Sequence, residues 1–217
     1  MIAGALRAML PPEVVVVAGP VSGFDGALWP EERAAVARAL DKRLTEFTAG
    51  RVAARRALAE LGVAECALPR GAGGAPVWPA GVVGSLSHST GMVAAVVARA
   101  GAVAGLGVDL EAVDDRAEGM ADMICVAGEA EGARAWEAGI LRVFSAKEAA
   151  YKAMYPRVGA FFGFDSMQIA LQGDGFSGRV LRDLGPVRAG TVVEGRQAMA
   201  AGFVVSAIAL QGEMWQE

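Results

Sequence analysis

Val103-Ala104-Gly105-Leu106-Gly107-Val108-Asp109-Leu110-Glu111 reads as a β-strand that turns acidic at its end. Side chains alternate faces along a strand, so Val108 and Leu110 point into a core while Asp109 and Glu111 share the opposite face. A second β-prone run, residues 85–98, precedes it, with a turn expected at 99–101. Further upstream, residues 14–17 are a short apolar run suited to a buried strand. Pro30, Glu31 and Glu32 then open a helix, with proline in its first turn and acids at the positive end of its dipole. Helical sequence continues to Leu61 in two pieces meeting near Asp41, and Gly62 stops it. Residues 69–84, rich in Gly and Pro, form a loop. Downstream, a polar loop at 111–118 leads to helical sequence up to about residue 138, and a helix is expected over 145–154, ended by Pro156. Strands are expected at 167–171, 178–181 and 201–210, with a turn at Gly173 and Gly175. Each half runs helices first and hairpin strands later, which predicts an α+β fold of two similar-sized halves.

The 217 residues suffice for one medium domain or two small ones. Hydrophobic residues make up 54% of the chain, but 45 of its residues are alanine, so large side chains are not unusually abundant. Arg99 interrupts the longest apolar candidate, residues 92–110, before it reaches the ~18–20 residues of a membrane span. A net charge of −4 argues against nucleic acid as a partner. Cys66 and Cys125 have neither disulfide-framework nor zinc-ligand spacing, and the N-terminal residues lack a secretory pattern, so a cytoplasmic protein is expected.

Three segments can carry chemistry. Asp109 and Glu111 on one strand face suit a hard cation such as Mg²⁺, although a solvated strand end gives the same pattern. Ser145-Ala146-Lys147-Glu148-Ala149-Ala150-Tyr151-Lys152 puts Glu148 and Lys152 at i and i+4, able to complete a metal site and bind phosphate. The same residues also read as a Ser145/Glu148 capping box and an ordinary surface pair. Gly84-Ser85-Leu86-Ser87-His88-Ser89 is a hydroxyl-rich strand able to hold phosphate, although a lone His is more often a structural hydrogen bonder. Seventeen of the 20 basic residues are Arg, and two of the three Lys, Lys147 and Lys152, fall in the second segment. No Walker loop or nucleophile elbow is present in the sequence.

Taken in order, these segments resemble the 4′-phosphopantetheinyl transferases of the surfactin-type group, nearest the enterobactin synthetase component D branch. The resemblance runs over residues 46–164: Glu46-Phe47-x-x-Gly50-Arg51-x-x-Ala54-Arg55, Pro69-Arg70-Gly71, Pro76-x-Trp78-Pro79, Gly84-Ser85-x-Ser87-His88, Gly107-Val108-Asp109-x-Glu111 and Phe144-Ser145-x-Lys147-Glu148-x-x-Tyr151-Lys152. It departs from the family before Glu129, where Ile124-Cys125-Val126-Ala127-Gly128 lacks the usual Ser/Thr-Pro.

The resemblance implies a pseudo-twofold pair of α+β halves, each an antiparallel sheet packed against helices. Residues 1–104 would form the coenzyme A-binding half, and residues 105–217 the half with the metal site and catalytic helix. It implies Mg²⁺-dependent transfer of the 4′-phosphopantetheine arm of coenzyme A, the co-substrate, to a serine of an apo acyl, aryl or peptidyl carrier protein, releasing 3′,5′-ADP. Siderophore or other secondary metabolism is the expected setting; fatty-acid acyl carrier protein, or a non-catalytic coenzyme A- or carrier-binding role, are the alternatives. Asp109, Glu111 and Glu148 would hold Mg²⁺. Ser87, His88, Lys147 and Lys152 would contact the phosphates, and Arg51, Arg70 and Arg55 the adenosine 3′-phosphate end. Glu129 and Glu148 are rival bases. Phe161, Phe162 and Phe164 form either core or a carrier contact. With both halves on one chain, a monomer is expected.

Overall fold

The computed structural model describes residues 1–212. The elements in chain order are α1 (Ile2–Met9), β1 (Val15–Pro20), α2 (Pro30–Arg33), α3 (Asp41–Glu60), β2 (Val82–Ser89), β3 (Met92–Arg99), β4 (Gly105–Ala112), α4 (Ala121–Ile124), α5 (Glu129–Ala133), α6 (Gly139–Val158), β5 (Met167–Gln172), β6 (Gly175–Val180), β7 (Val192–Ala200) and β8 (Phe203–Leu210). The strands form two antiparallel sheets, of order β1-β3-β2 and β4-β8-β7-β6-β5. The α+β fold expected from the sequence is present, with a 20-residue helix, α3 or α6, against each sheet.

Strand alternation explains the layering. On β3, Val93, Ala95 and Val97 pack against Ala53, Ala57 and Leu58 of α3. The alternate residues Ala94, Val96 and Ala98 face Leu106, Val108 and Leu110 of β4 and Val205 and Ala207 of β8. Ile2 and Leu6, one turn apart on α1, close this inner core. The outer face of the second sheet, with Val204 and Ile208, packs on Ile140, Val143, Ala146 and Met154 of α6. Burying each large aliphatic side chain contributes about 1.5–3 kcal/mol, so this inner core is a principal bond between the halves.

Two local features set the site. Gly105 and Gly107 let α6 lie directly on β4, because a Cβ at either position would collide with the carbonyl oxygens of Ala153 and Ala149. At the opposite edge of β4, where no strand pairs with it, the Val108, Leu110 and Ala112 amides donate to the hydroxyls of Ser85, Ser87 and Ser89 on β2.

The structure departs from the sequence reading in several elements. The run 85–98 is a hairpin, turning at Thr90 and Gly91 with φ of 41° and 77°. Positive φ at both central residues matches the twist of the flanking strands, but Thr-Gly is not one of the usual signals. The expected helix to residue 138 shrinks to α4 and α5, broken by glycines such as Gly128 at φ 79°. Helix α6 begins at Gly139 and passes Pro156, whose missing N–H costs one hydrogen bond in the last turn, before Gly159 ends it at φ 67°. Ser145 is therefore no cap; its hydroxyl lies within hydrogen-bond distance, 2.8 Å, of that of Ser206. Helix α1 and strand β7 were not anticipated.

Gly107→Ala should destabilise the protein by about 1–3 kcal/mol or more, because backbone rather than a movable side chain opposes the new methyl. Calorimetric unfolding would show this as a lowered Tm, with Gly4→Ala, where no atom lies within 4 Å of the new Cβ, as the control.

Candidate active site

A cleft of about 410 Å³ lies where the halves meet, with walls from α3, the 70–78 loop, β2 and α6. Arg43, Phe47, Gly50 and Arg51 line it from one face of α3, at the i, i+4, i+7, i+8 spacing of a helical stripe. Arg70 enters from the loop, Ser87 and His88 from β2, and Glu148, Tyr151, Lys152 and Tyr155 from α6.

Each cation is held differently. Arg51 is 4% exposed, donates from Nε to the Leu68 carbonyl at 2.7 Å and lies 4.2 Å from the centre of the Phe47 ring. Burial lowers its pKa to about 10. Arg43 Nη1 donates to His88 Nε2 at 2.6 Å, which places the imidazole proton on Nδ1, the atom facing Glu46. Burial, and then the Arg43 charge, lower the His88 pKa, so the ring is neutral near pH 7. The Arg70 guanidinium rests on Gly74, where a side chain would displace it.

Lys152 Nζ donates to Asp109 Oδ1 at 2.7 Å and to the Val108 carbonyl at 3.1 Å. Ser87 also donates to Asp109 Oδ1, at 3.1 Å. The other oxygen, Asp109 Oδ2, is buried and, among the described residues, has no hydrogen-bond partner. Ser89 donates to Glu111 Oε2 at 3.3 Å. Burial, then the Asp109 charge, push the Glu111 carboxyl up to about 7, and burial raises that of Glu148 as well. Among the described residues no three metal-ligating side chains are drawn into a cluster. The donor chemistry nevertheless fits a hard divalent cation: neighbouring carboxylates, one with a buried free oxygen, and two whose burial disfavours uncompensated negative charge.

The structure separates the remaining sequence candidates from this cleft. Lys147 is 3% exposed, and its three N–H groups go to Glu129 Oε2 and the carbonyls of Ile124 and Phe164. Glu129 also accepts from the Val126 and Ile169 amides, so both of its oxygens are engaged. The expected phosphate contact and candidate base are thus partners in a buried ion pair that ties α6 to α5 and β5. Arg55 is likewise corrected. It grips fully buried Glu32 with Nη1, at 2.7 and 3.0 Å, and binds α2 to α3 outside the cleft. Phe162 is core beside Tyr151, Phe164 packs edge-on against Phe144, and Phe161 alone is exposed. Sequence reasoning missed Arg43 and Tyr155 as cleft residues. The helical spacing from Arg51 was the signal for Arg43, whereas Tyr155 enters through a tertiary contact in which its hydroxyl lies over Gly73 of the loop.

Fold and site together define a class: a two-sheet α+β protein with a cleft lined by arginines, His88, Glu148 and Lys152, the last of which pairs with buried Asp109. Family models place it further. The 4′-phosphopantetheinyl transferase N-terminal domain matches residues 31–98, and the 4′-phosphopantetheinyl transferase superfamily matches residues 105–202. The chain is 42% identical over 198 residues to the 4′-phosphopantetheinyl transferase Svp of Streptomyces mobaraensis, covering 84% of this chain and 78% of that one. It is 37% identical over 193 residues to the 4′-phosphopantetheinyl transferase PptT of Mycobacterium tuberculosis, covering 83% and 85%. Enterobactin synthase component D of Escherichia coli is 38% identical over 132 residues, 58% of this chain and 62% of that one. The chain belongs to the 4′-phosphopantetheinyl transferase superfamily and is a transferase of that kind.

Two tests follow from this electrostatic layout. Lys147→Met should cost about 3–5 kcal/mol in denaturant unfolding, since it strands Glu129 as an uncompensated buried charge. Glu111 binds its proton more tightly folded than unfolded, so between about pH 4.5 and 7 the folded state holds more protons. Its contribution to stability therefore falls as pH rises through that window. His88, with a lowered pKa, contributes the opposite slope below pH 6.5. In chelator, Glu111→Gln should remove the falling component, so its Tm should gain on wild type as pH rises from 4.5 to 7.

Proposed function

We propose that the protein transfers the 4′-phosphopantetheine arm of coenzyme A to a serine of an apo carrier protein, with Mg²⁺ bound, releasing 3′,5′-ADP. The observation that carries this reading is the row of cationic and imidazole groups, Arg43, Arg51, Arg70, His88 and Lys152, leading to the unpartnered oxygen of Asp109. A coenzyme A molecule carries a 3′-phosphate and a pyrophosphate, which match the separate arginine and lysine groups of the cleft, Arg43, Arg51, Arg70 and Lys152, set among the carboxylates of Glu46 and Glu148. The half formed by residues 1–104 supplies the arginines and His88, and residues 105–212 of the second half supply the carboxylates and Lys152; its residues 213–217 lie outside the described residues.

Asp109, Glu111 and Glu148 would hold the cation, which supplies charge neutralisation to phosphoryl oxygens when bound. In the reaction the serine oxygen bonds to the β-phosphorus, the bond from that phosphorus to the oxygen bridging to 3′,5′-ADP breaks, and the serine proton leaves. Glu148 receives it, because it lines the cleft, its half-buried carboxylate takes no hydrogen bond among the described residues, and burial raises its pKa, which makes it a stronger base than an exposed carboxylate. Lys152 holds an ammonium beside Asp109 where phosphoryl charge grows, and such positioned charges supply most of the catalysis in phosphoryl transfer.

Likeness to enterobactin synthase component D supports carriers of siderophore or other nonribosomal peptide and polyketide synthesis, over fatty-acid carriers. We infer a monomer, since a single chain builds the cleft from both halves, and a cytoplasmic setting, since Cys66 and Cys125 are both free thiols.

Incubation with coenzyme A, Mg²⁺ and apo aryl, peptidyl and fatty-acid carriers, read by mass spectrometry, should add the phosphopantetheine increment to the first two. No increment on any carrier overturns the reading. Asp109→Ala and Glu148→Ala should each lower the rate roughly 10²–10³-fold or more, with circular dichroism unchanged.

A further inference from the structure

The hydroxyls of β2 repeat one bonding unit along β4. Ser87 accepts from the Leu110 amide at 3.1 Å and donates to the Asp109 carboxylate at 3.1 Å. Two residues on, Ser89 accepts from the Ala112 amide at 3.4 Å and donates to Glu111 Oε2 at 3.3 Å. Ser85 accepts from the Val108 amide at 3.1 Å, so three hydroxyls at period two meet three amides at period two. The two strands therefore run in the same direction, joined by side chains where a sheet would use carbonyls.

This geometry constrains each proton. A serine hydroxyl has a single proton, and an amide approaching its lone pair turns that proton away towards the next acceptor. At Ser89 the next acceptor is Glu111. The hydroxyl thereby holds one oxygen of the carboxylate, as Ser87 holds Asp109 Oδ1 while leaving Oδ2 free. We propose that Ser89 is a positioning residue: it aims Glu111, and through Ala112 it locks that aim to the strand carrying His88. The proposal rests on the assignment of Glu111 as a cation ligand, and extends it to a residue outside the cleft lining.

The test uses the whole protein saturated with coenzyme A, without carrier, so that no turnover occurs. Titration calorimetry with Mg²⁺ should show wild-type binding weakened roughly 10–100-fold in Ser89→Ala, the usual effect of removing the partner of a metal ligand. Ser89→Thr, which keeps the hydroxyl, should restore it. In metal-free protein the Ala112 amide should exchange faster in Ser89→Ala while the Leu110 amide, held by Ser87, stays at the wild-type rate. Turnover should show a raised KM for Mg²⁺ with kcat near wild type at saturation. Wild-type affinity in Ser89→Ala, or equal loss in the alanine and threonine variants, overturns the role of Ser89. An absence of Mg²⁺ binding by the wild type, seen before any substitution, overturns the metal assignment and this proposal with it.

Discussion

Strand β4 lies buried with one edge unpaired by any strand, and its amides at Val108, Leu110 and Ala112 must still be satisfied there. A buried amide without a partner costs roughly 1–3 kcal/mol, so three would consume much of a domain's net stability. Serine hydroxyls of β2 accept from these amides where a sheet would use carbonyls, and the protons of Ser87 and Ser89 turn to Asp109 and Glu111. The solution to a folding problem thus also orients the carboxylates. On the other flank, Gly105 and Gly107 bring α6 down to backbone contact and deliver Lys152 to Asp109. Every catalytic assignment made for the second half depends on these two contacts of one strand.

Buried charge is divided between holding the fold and doing chemistry. Arg55 with Glu32, and Lys147 with Glu129, are closed pairs in which backbone groups take up the remaining valences. Breaking such a pair is costly because it leaves an uncompensated buried charge, so these residues hold their elements together rather than reach for a ligand. Lys152 with Asp109 is open by comparison: one carboxylate oxygen is free, and the lysine side chain keeps 25% exposure. Between Lys147 and Lys152, five positions apart on one helix, the difference is that one points under the sheet edge and the other into the cleft.

Much of the architecture was legible. Pro30 with its two acids, the break near Asp41, Gly62, and the strands at 14–17 and 103–110 all reflect local chemistry that tertiary contacts did not overrule. The hairpin at Thr90 and Gly91 was hidden inside a continuous β-prone run, and β7 was hidden because Glu194, Gly195 and Arg196 interrupt its apolar pattern. Helix α1 is amphipathic, with Ile2 and Leu6 one turn apart, but its eight residues are too short a run to stand out from sequence.

The class of fold, the family, the acidic strand and the lysine-bearing helix can all be read from the residues in order, because motif spacing and side-chain alternation are properties of local chain geometry. Which of the named charges face the cleft depends on long-range packing. Arg43 and Tyr155 joined it, while Arg55, Lys147 and Glu129 were withdrawn into the fold. The physical reason is that a long side chain's role is set by the partners that quench its charge, and those come from segments tens of residues away along the chain.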